Sequence, residues 1–291
     1  MNGAGPNGHE REVLERYAAR FRAAPPAQVA AVLRLTLPSA RSPWHSTGVN
    51  LSAGQQATWF VGGETVLSAL PSIRIPARFQ LWARVGHGRE GEPSVFRGTR
   101  ASHTFAAPID GPLALGTAFP GEWAAPSGAL AVPPEAYAGV HGDIEILLLI
   151  WACGVEAVTA LARIGDGDDP ARLCEAELAR SRHVVAPPPD WRYLWFLGPA
   201  EIFQAERGGI ACECQHDAAI LHYDAPLAFA PGTELRWRWR IDELPSDCAE
   251  DTLATHDYLS IAVEFDNGQD LTYLWSAALP VGTVFRCPIP T

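Results

Sequence analysis

The 291-residue chain contains no lysine; all 22 of its basic residues are arginine, set against 33 acidic ones. Absence of lysine points to GC-rich coding rather than to a function. The resulting net charge of −11 argues against nucleic acid as a partner, because that recognition needs a basic footprint. No positively charged stretch precedes an apolar one at the N-terminus, so no signal peptide is expected. Long hydrophobic runs are missing too. The most apolar stretch, residues 144–153, includes Glu145 and is far too short to span a bilayer. The six cysteines (Cys153, Cys174, Cys212, Cys214, Cys248, Cys287) show no framework spacing, which makes reduced thiols in a cytoplasm the expectation.

What is present is a globular composition, 47% hydrophobic and 19% charged, in a chain long enough for two cores. Residues 1–8 are rich in Gly, Asn and Pro. From His9 to Phe21, the stripe Val13, Tyr17 and Phe21 with Leu14 beside it predicts a short amphipathic helix, ended by Pro25-Pro26. Short apolar segments at 58–61, 79–85, 102–105, 113–118 and 144–151 follow, separated by Gly and Pro. That pattern predicts a sandwich or jelly roll. Asp168-Asp169-Pro170 is suited to opening a second helix over 171–182, and Pro187-Pro188-Pro189 is a stiff spacer. Strands resume at 193–196, 211–215 and 219–223. The expected organisation is therefore an N-terminal segment (1–28), a jelly roll (29–165), a helical and Pro-rich linker (166–189) and a second β-sandwich module (190–291). The fold class is all-β.

Residues 235–276 carry the most local information. Leu235, Trp237, Trp239 and Ile241 alternate with Arg236, Arg238 and Arg240, which predicts a half-buried strand. Asn267-Gly268 is a strong hairpin signal. A two-residue loop would pair Asp266 with Gln269, Glu264 with Leu271, Ala262 with Tyr273 and Ser260 with Trp275. Paired residues share a face, so Asp257, Leu259, Ile261, Val263, Phe265, Thr272 and Leu274 would face a core. His256, Tyr258, Ser260, Glu264, Tyr273 and Trp275 would line a groove mixing rings with hydrogen-bonding groups; an ordinary solvated sheet face is the alternative.

Candidate chemistry centres on that groove. His256, Tyr258 and Glu264 are the acid/base candidates, histidine because it titrates near neutrality. Asp257 points to the opposite face from His256, and Glu264 lies about 26 Å along the strand from it, so spacing reveals no dyad. Arg238 and its neighbours form a guanidinium stripe able to clamp an anion or to pair with Glu234, Asp242 and Glu243. Tyr273, Trp275, Arg238 and His222, the last with Tyr223 ending its strand, are ligand-binding candidates. In the first module Trp44, His45 and His141 are candidates for sugar stacking and polar edges, with a core role for Trp44 and Trp123 as the alternative. Cys212-Glu-Cys214 followed by His216 invites a zinc reading, but its spacing is too short for a structural site; buried thiols are expected instead. No metal or cofactor is expected.

Two resemblances accompany these readings. Trp44-His-Ser-Thr-Gly48, Leu51, Gly54, Leu81-Trp-Ala-Arg-Val-Gly86, Thr104-Phe105, Gly111-Pro-Leu113, Trp123, Tyr137 and Gly142 resemble the bacterial galactophilic lectins, a galactose-binding-like jelly-roll family, over residues 30–152. That family holds galactose through a calcium ion bound by an Asp and a Tyr-Gly-Asn-Asn run. Here the segment reads Tyr137-Ala-Gly-Val-His141, with Gly139 and Val140 at the Asn positions and Val132 near the Asp position. The oxygen ligands calcium needs are missing, so the resemblance implies the fold and not the calcium site. Residues 190–291 resemble a bacterial domain family of unknown function marked by W-x-W, D-D-[FY] and Y-x-W-S. His256 stands at the first Asp of the usual pair. Relatives continue beyond the Leu-Pro-x-Gly-Thr segment whereas this chain stops at Thr291, which leaves open a second sheet short of strands or a truncated product.

These observations lead to three expectations. The first is a metal-independent binder of a small molecule or glycan. The second is a cofactor-free lyase, hydrolase or cyclase, and the third an assembly subunit that forms a homo-oligomer through an exposed sheet edge. Neither nucleic acid nor membrane is an expected partner.

Overall fold

The structure, a computed structural model, describes residues 6–41, 43–69, 72–89, 95–97, 100–119, 121–165, 171–195, 201–214, 219–238, 240–242, 259–276 and 279–285. The fold is all-β, and the chain divides into two compact units, Met1–Asp224 and Ala225–Thr291.

In the first unit two antiparallel four-stranded sheets face each other. One has the order β1 (Val29–Pro38), β10 (Asp143–Trp151), β3 (Gln56–Gly62), β8 (Ser102–Ala106). The other runs β2 (Trp44–Leu51), β9 (Gly111–Thr117), β6 (Leu81–Val85), β7 (Val95–Arg97). β4 (Glu64–Ala69) and β5 (Ser72–Pro76) form a hairpin beside them. The segments expected at 58–61, 79–85, 102–105, 113–118 and 144–151 thus all supply strands.

β10 shows why the sequence takes this shape. Its even residues Ile144, Ile146, Leu148 and Ile150 point between the sheets and meet Trp59, Leu81, Val85, Leu113 and Leu115. Its odd residues Leu147, Leu149 and Trp151 point the other way, onto helices. α1 (Pro6–Arg22) supplies Leu14, Tyr17 and Phe21 to that outer core, α2 (Ala157–Gly165) supplies Ala157 and Leu161, and α3 (Ala171–Arg182) supplies Cys174. Tyr17 stacks on Phe60 at 5.3 Å, and Phe21 meets Trp151 edge-on at 6.3 Å. A strand buried on both faces loses its polar alternation, which is why the run from 146 to 153 is apolar without interruption. α2 was not anticipated from the sequence. Its first turn is capped by Glu156, which accepts from Thr159 N–H at 2.6 Å, and Gln56 Oε1 accepts from Ala157 N–H at 2.6 Å.

The turn into β10 depends on Gly142, at φ +108°, where an added Cβ would sit 2.2 Å from Glu64 O. Gly142→Ala should therefore destabilise the unit by roughly 1–3 kcal/mol or more, since strain and clash combine. Gly139→Ala, where a Cβ would meet nothing, should be nearly neutral. Equal melting temperatures for the two variants would contradict this reading.

Past α3 the ladders are short. β11 (Arg192–Tyr193) pairs with β14 (Leu221–His222), and β12 (Phe203–Glu206) pairs with β13 (Gly209–Cys212).

In the second unit β15 (Ser260–Glu264) and β16 (Asp270–Leu274) form a hairpin. Its register corrects the expected one. Glu264 pairs with Asp270, Val263 with Leu271, Ala262 with Thr272, Ile261 with Tyr273 and Ser260 with Leu274. Phe265 N–H donates to Gln269 O at 2.8 Å and Gly268 N–H to Phe265 O at 2.9 Å. The loop is therefore Asp266-Asn267-Gly268, with Gly268 at φ +78°, the three-residue hairpin form that ends in a left-handed glycine. A one-residue slip moves every side chain of one strand to the other face. The strand expected over 235–241 is also corrected: among the described residues 233–238 join no ladder, and Leu235 is exposed; Trp239 lies outside the described residues.

Candidate functional site

Among the described residues β8 pairs with β3 alone, which makes it the edge of its sheet. Where a further strand would supply hydrogen bonds, α3 supplies side chains. Thr104 N–H donates to Glu177 Oε1 at 2.6 Å, and Arg180 Nη2 donates to Ser102 O at 2.7 Å and to Ser102 Oγ. Arg180 and Glu177, one turn apart on the helix, also pair with each other at 2.6 Å. Both are almost fully buried, at 7% and 4% exposure. A covered edge cannot template further pairing, and a buried carboxylate and guanidinium satisfied in this way avoid the cost of unpaired charge.

Beside this closure lies a pocket of about 180 Å³. Arg100, His103, Glu177, Arg180, Glu156 and Glu201 line it, with Phe105 and Val158 as apolar walls. Arg100 is buried, and its Nη1 is 3.4 Å from His103 Nδ1. His103 pairs with Trp59 across the ladder, their rings 4.9 Å apart, so the imidazole sits at the rim of the sandwich interior. Burial pushes the imidazole down to about 4; Glu177 opposes the shift, and Arg100 and Arg180 reinforce it. At neutral pH His103 is therefore uncharged and offers one donor and one acceptor. Burial alone would raise the Glu177 carboxyl, but His103 and Arg180, with hydrogen bonds from Arg180 and Thr104 N–H, hold it below the usual range. The pocket presents donors and acceptors together on a small polar surface with one aromatic wall. Among the described residues no group of three or more His, Cys, Asp or Glu is placed to hold a metal ion.

The side chains picked from the sequence lie elsewhere. Trp44 is packed: its indole N–H donates to Gly128 O at 2.9 Å, it stacks on Trp123 at 5.2 Å, and the Arg84 guanidinium lies 4.3 Å over its ring. His45 donates from Nε2 to Arg41 O at 2.7 Å. His141 is exposed and exchanges backbone hydrogen bonds with Val66, while adjacent Val140 joins the cluster that packs Trp44. The two segments do meet, through a filled aromatic core. His222 is half-buried with Nε2 3.7 Å from Asp224 Oδ1, and Tyr223 packs against Trp191 at 5.3 Å.

In the second unit, the corrected register puts Tyr273 on the face of Ile261, Val263 and Leu271, with Trp275 following on that side. Glu264 falls on the opposite face, across from Asp270. The anticipated groove joining Tyr273 and Trp275 to Glu264 therefore does not form. The ring of Trp237 meets Tyr273 edge-on at 4.5 Å. Arg238 is exposed; Arg236 pairs with Glu234, and Arg240 pairs with Asp242 at 3.3 Å. His256 and Tyr258 lie outside the described residues. Sequence reasoning missed the pocket because Glu177 and Arg180 act on residues 73 and 78 positions away. The local sign available was their one-turn spacing on a helix.

Residues 200–290 match the family model described as protein of unknown function (DUF3047). Among solved structures, the chain is similar to an entity described as EclA N-terminal domain, PllA-like lectin. The identity is 14% over 41% of this chain and 97% of that one, with a TM-score of 0.29. It is also similar to the IMPa metallopeptidase from Pseudomonas aeruginosa, at 12% identity over 50% of this chain and 16% of that one, with a TM-score of 0.24. No curated protein matches the chain. No helix among the described residues is long and apolar enough to cross a membrane.

Proposed function

We propose that the protein is a metal-independent binder of a small polar molecule of the carbohydrate class, held in the pocket beside β8 and α3. The observation that carries this reading is the convergence of Arg100, His103, Arg180, Glu156 and Glu201 on one cavity. Hydroxyl-rich ligands need donors and acceptors in alternation, and a neutral imidazole flanked by guanidinium and carboxylate groups supplies both. At about 180 Å³ the cavity is below the roughly 300–1,000 Å³ of drug-sized sites, which favours a single ring over an extended chain.

Calorimetry against a panel of mono- and disaccharides tests the proposal. Saturable binding is expected, weakened at least about tenfold by Arg100→Ala, because a hydrogen bond to a charged group contributes roughly 1.5–3 kcal/mol. Trp275→Ala should leave affinity unchanged. Loss of binding in Trp275→Ala, with Arg100→Ala unaffected, would move the site to the rings of the second unit; no heat with any sugar would remove the reading.

A second reading, self-assembly, is favoured by one observation. Among the described residues the large apolar side chains left exposed all lie at or beyond Val184, and Leu227, Phe229, Val281 and Val284 are more than 70% bare. Exposed apolar surface of this extent marks interaction sites, and a second copy of the chain is the proposed partner. Light scattering that finds a monomer at all concentrations would dismiss it.

A further inference from the structure

Cys212 and Cys214 lie outside the pocket beside β8 and α3. Both are exposed thiols, which corrects the expectation of buried ones, and their Sγ atoms are 3.5 Å apart. We propose that they form a redox-active dithiol that closes to an intramolecular disulfide by exchange with a low-molecular-weight disulfide.

The placement follows from strand geometry. Alternate residues of an extended chain project to the same side, so Cys-Glu-Cys puts both sulfurs together. Cys212 ends β13 opposite Phe203, and Glu213 N–H donates to Ile202 O at 3.1 Å. That bond carries the pairing one step past the strand and holds the tripeptide extended. A disulfide needs about 2.05 Å between sulfurs and Cα atoms no more than roughly 6.8 Å apart. An extended chain keeps the Cβ atoms of alternate residues roughly 6.5 Å apart, whereas a disulfide holds them within about 4.5 Å, so closure asks the tripeptide to bend at Glu213 as well as the side chains to rotate.

The other described thiols contrast with this pair. Cys174 is buried, its thiol pushed up to about 12 mainly by that burial, so it carries no thiolate at neutral pH. Cys153 is exposed but is not seen against another sulfur among the described residues. Exposure and a second sulfur within reach coincide at Cys212 and Cys214.

The exchange proceeds in two displacements. The thiolate of one cysteine attacks a sulfur of a small disulfide RSSR; the S–S bond breaks, RS⁻ leaves, and a mixed disulfide remains on the protein. The second cysteine gives its proton to solvent and attacks the protein-side sulfur, forming the Cys212–Cys214 bond and expelling the second RS⁻. Two electrons pass from the protein to RSSR, which becomes two RSH. Loops this short strain the bond, and strained exposed disulfides are the labile, regulatory kind. The closed form would be felt by the β12–β13 hairpin first. Phe203, opposite Cys212, has its ring 6.1 Å from Tyr193, whose hydroxyl accepts the N–H groups of Ile202 and Phe203.

Full-length protein treated with oxidised glutathione, quenched in acid and mapped by peptide mass provides the test. Wild type should lose two hydrogens from the peptide that contains both cysteines and keep no glutathione there. Cys212→Ser and Cys214→Ser, which alter exposed positions and should leave circular dichroism unchanged, should each stop at a stable glutathione adduct. Phenylarsine oxide, which bridges neighbouring thiols, should protect the wild-type pair from a monofunctional alkylating agent at least tenfold better than either remaining single thiol. A lasting adduct on wild type, bonds from either residue to Cys248 or Cys287 in place of the mutual one, or equal protection in the variants would each overturn the proposal.

Discussion

Glu177→Ala is expected to lower the unfolding free energy of the first unit by about 3–5 kcal/mol, the usual cost of leaving one member of a buried ion pair without the other. Two losses combine at this position. Arg180 keeps its bonds to Ser102 O and Ser102 Oγ but loses its carboxylate, 2.6 Å away, in a site only 7% exposed. Thr104 N–H loses the acceptor that stands in for a missing neighbouring strand, and an orphaned buried donor costs roughly 1–3 kcal/mol. Glu177→Leu combined with Arg180→Leu should cost less than Glu177→Ala alone, because apolar replacement of both partners removes the desolvation problem along with the bond. Urea unfolding gives the free energies, and amide exchange at Thr104 reports the edge directly. A single variant within about 0.5 kcal/mol of wild type, as for an ordinary surface change, would mean that α3 does not close this sheet.

The sandwich was legible because its strands announce themselves locally. Residues 146–151 are apolar throughout since helices cover one side of β10 and the second sheet covers the other. α1 and α3 were legible from periodicity and proline punctuation, close to their observed bounds of Pro6–Arg22 and Ala171–Arg182. The hairpin failed by one residue for a reason visible at Asn267. Its side-chain oxygen accepts from Gln269 N–H at 3.0 Å, and Phe265 pairs with Gln269. An Asx-type bond of this kind stabilises the longer loop, whereas the rule applied to the sequence assumes Asn-Gly occupies both central positions of a two-residue turn. One residue of slip was enough to part Tyr273 and Trp275 from Glu264. Trp237 and Leu235 alternate like strand residues, yet alternation records only that two sides differ, not that a partner strand exists. The pocket was illegible for a different reason. Its charged groups come from β8 and the bend at Arg100, α3, the start of α2 and Glu201, and no spacing in the sequence encodes which helix side chains reach which edge amides.

Acid should unfold the first unit earlier than its carboxylates alone would require, and His103 is the cause. Its imidazole is pushed from 6.5 to about 4, first by burial, with Glu177 opposing and Arg100 and Arg180 reinforcing. The folded protein therefore refuses a proton that the unfolded chain accepts. The unfolded state binds more protons throughout this interval, so stability rises with pH across it and falls as pH drops from about 6.5 towards 4. A shift of that size corresponds to about 3 kcal/mol as an upper bound, reduced by the part of the ring that meets solvent. Glu177 acts in a separate window. Its folded carboxyl is held below the ordinary value of 4.5, so its contribution is present above that value and is lost as pH falls through the lower, folded one. The two windows respond differently to one change. His103→Asn should flatten the stability profile between pH 6.5 and about 4, while the loss at lower pH should remain but lie closer to the ordinary carboxylate range, because His103 is one of the groups that hold Glu177 down. Urea midpoints at half-unit intervals would show it. A wild-type profile already flat in the upper window, or a His103→Asn profile that keeps the original slope there, would place the proton uptake on another residue and leave the imidazole solvated rather than sealed at the rim of the sandwich.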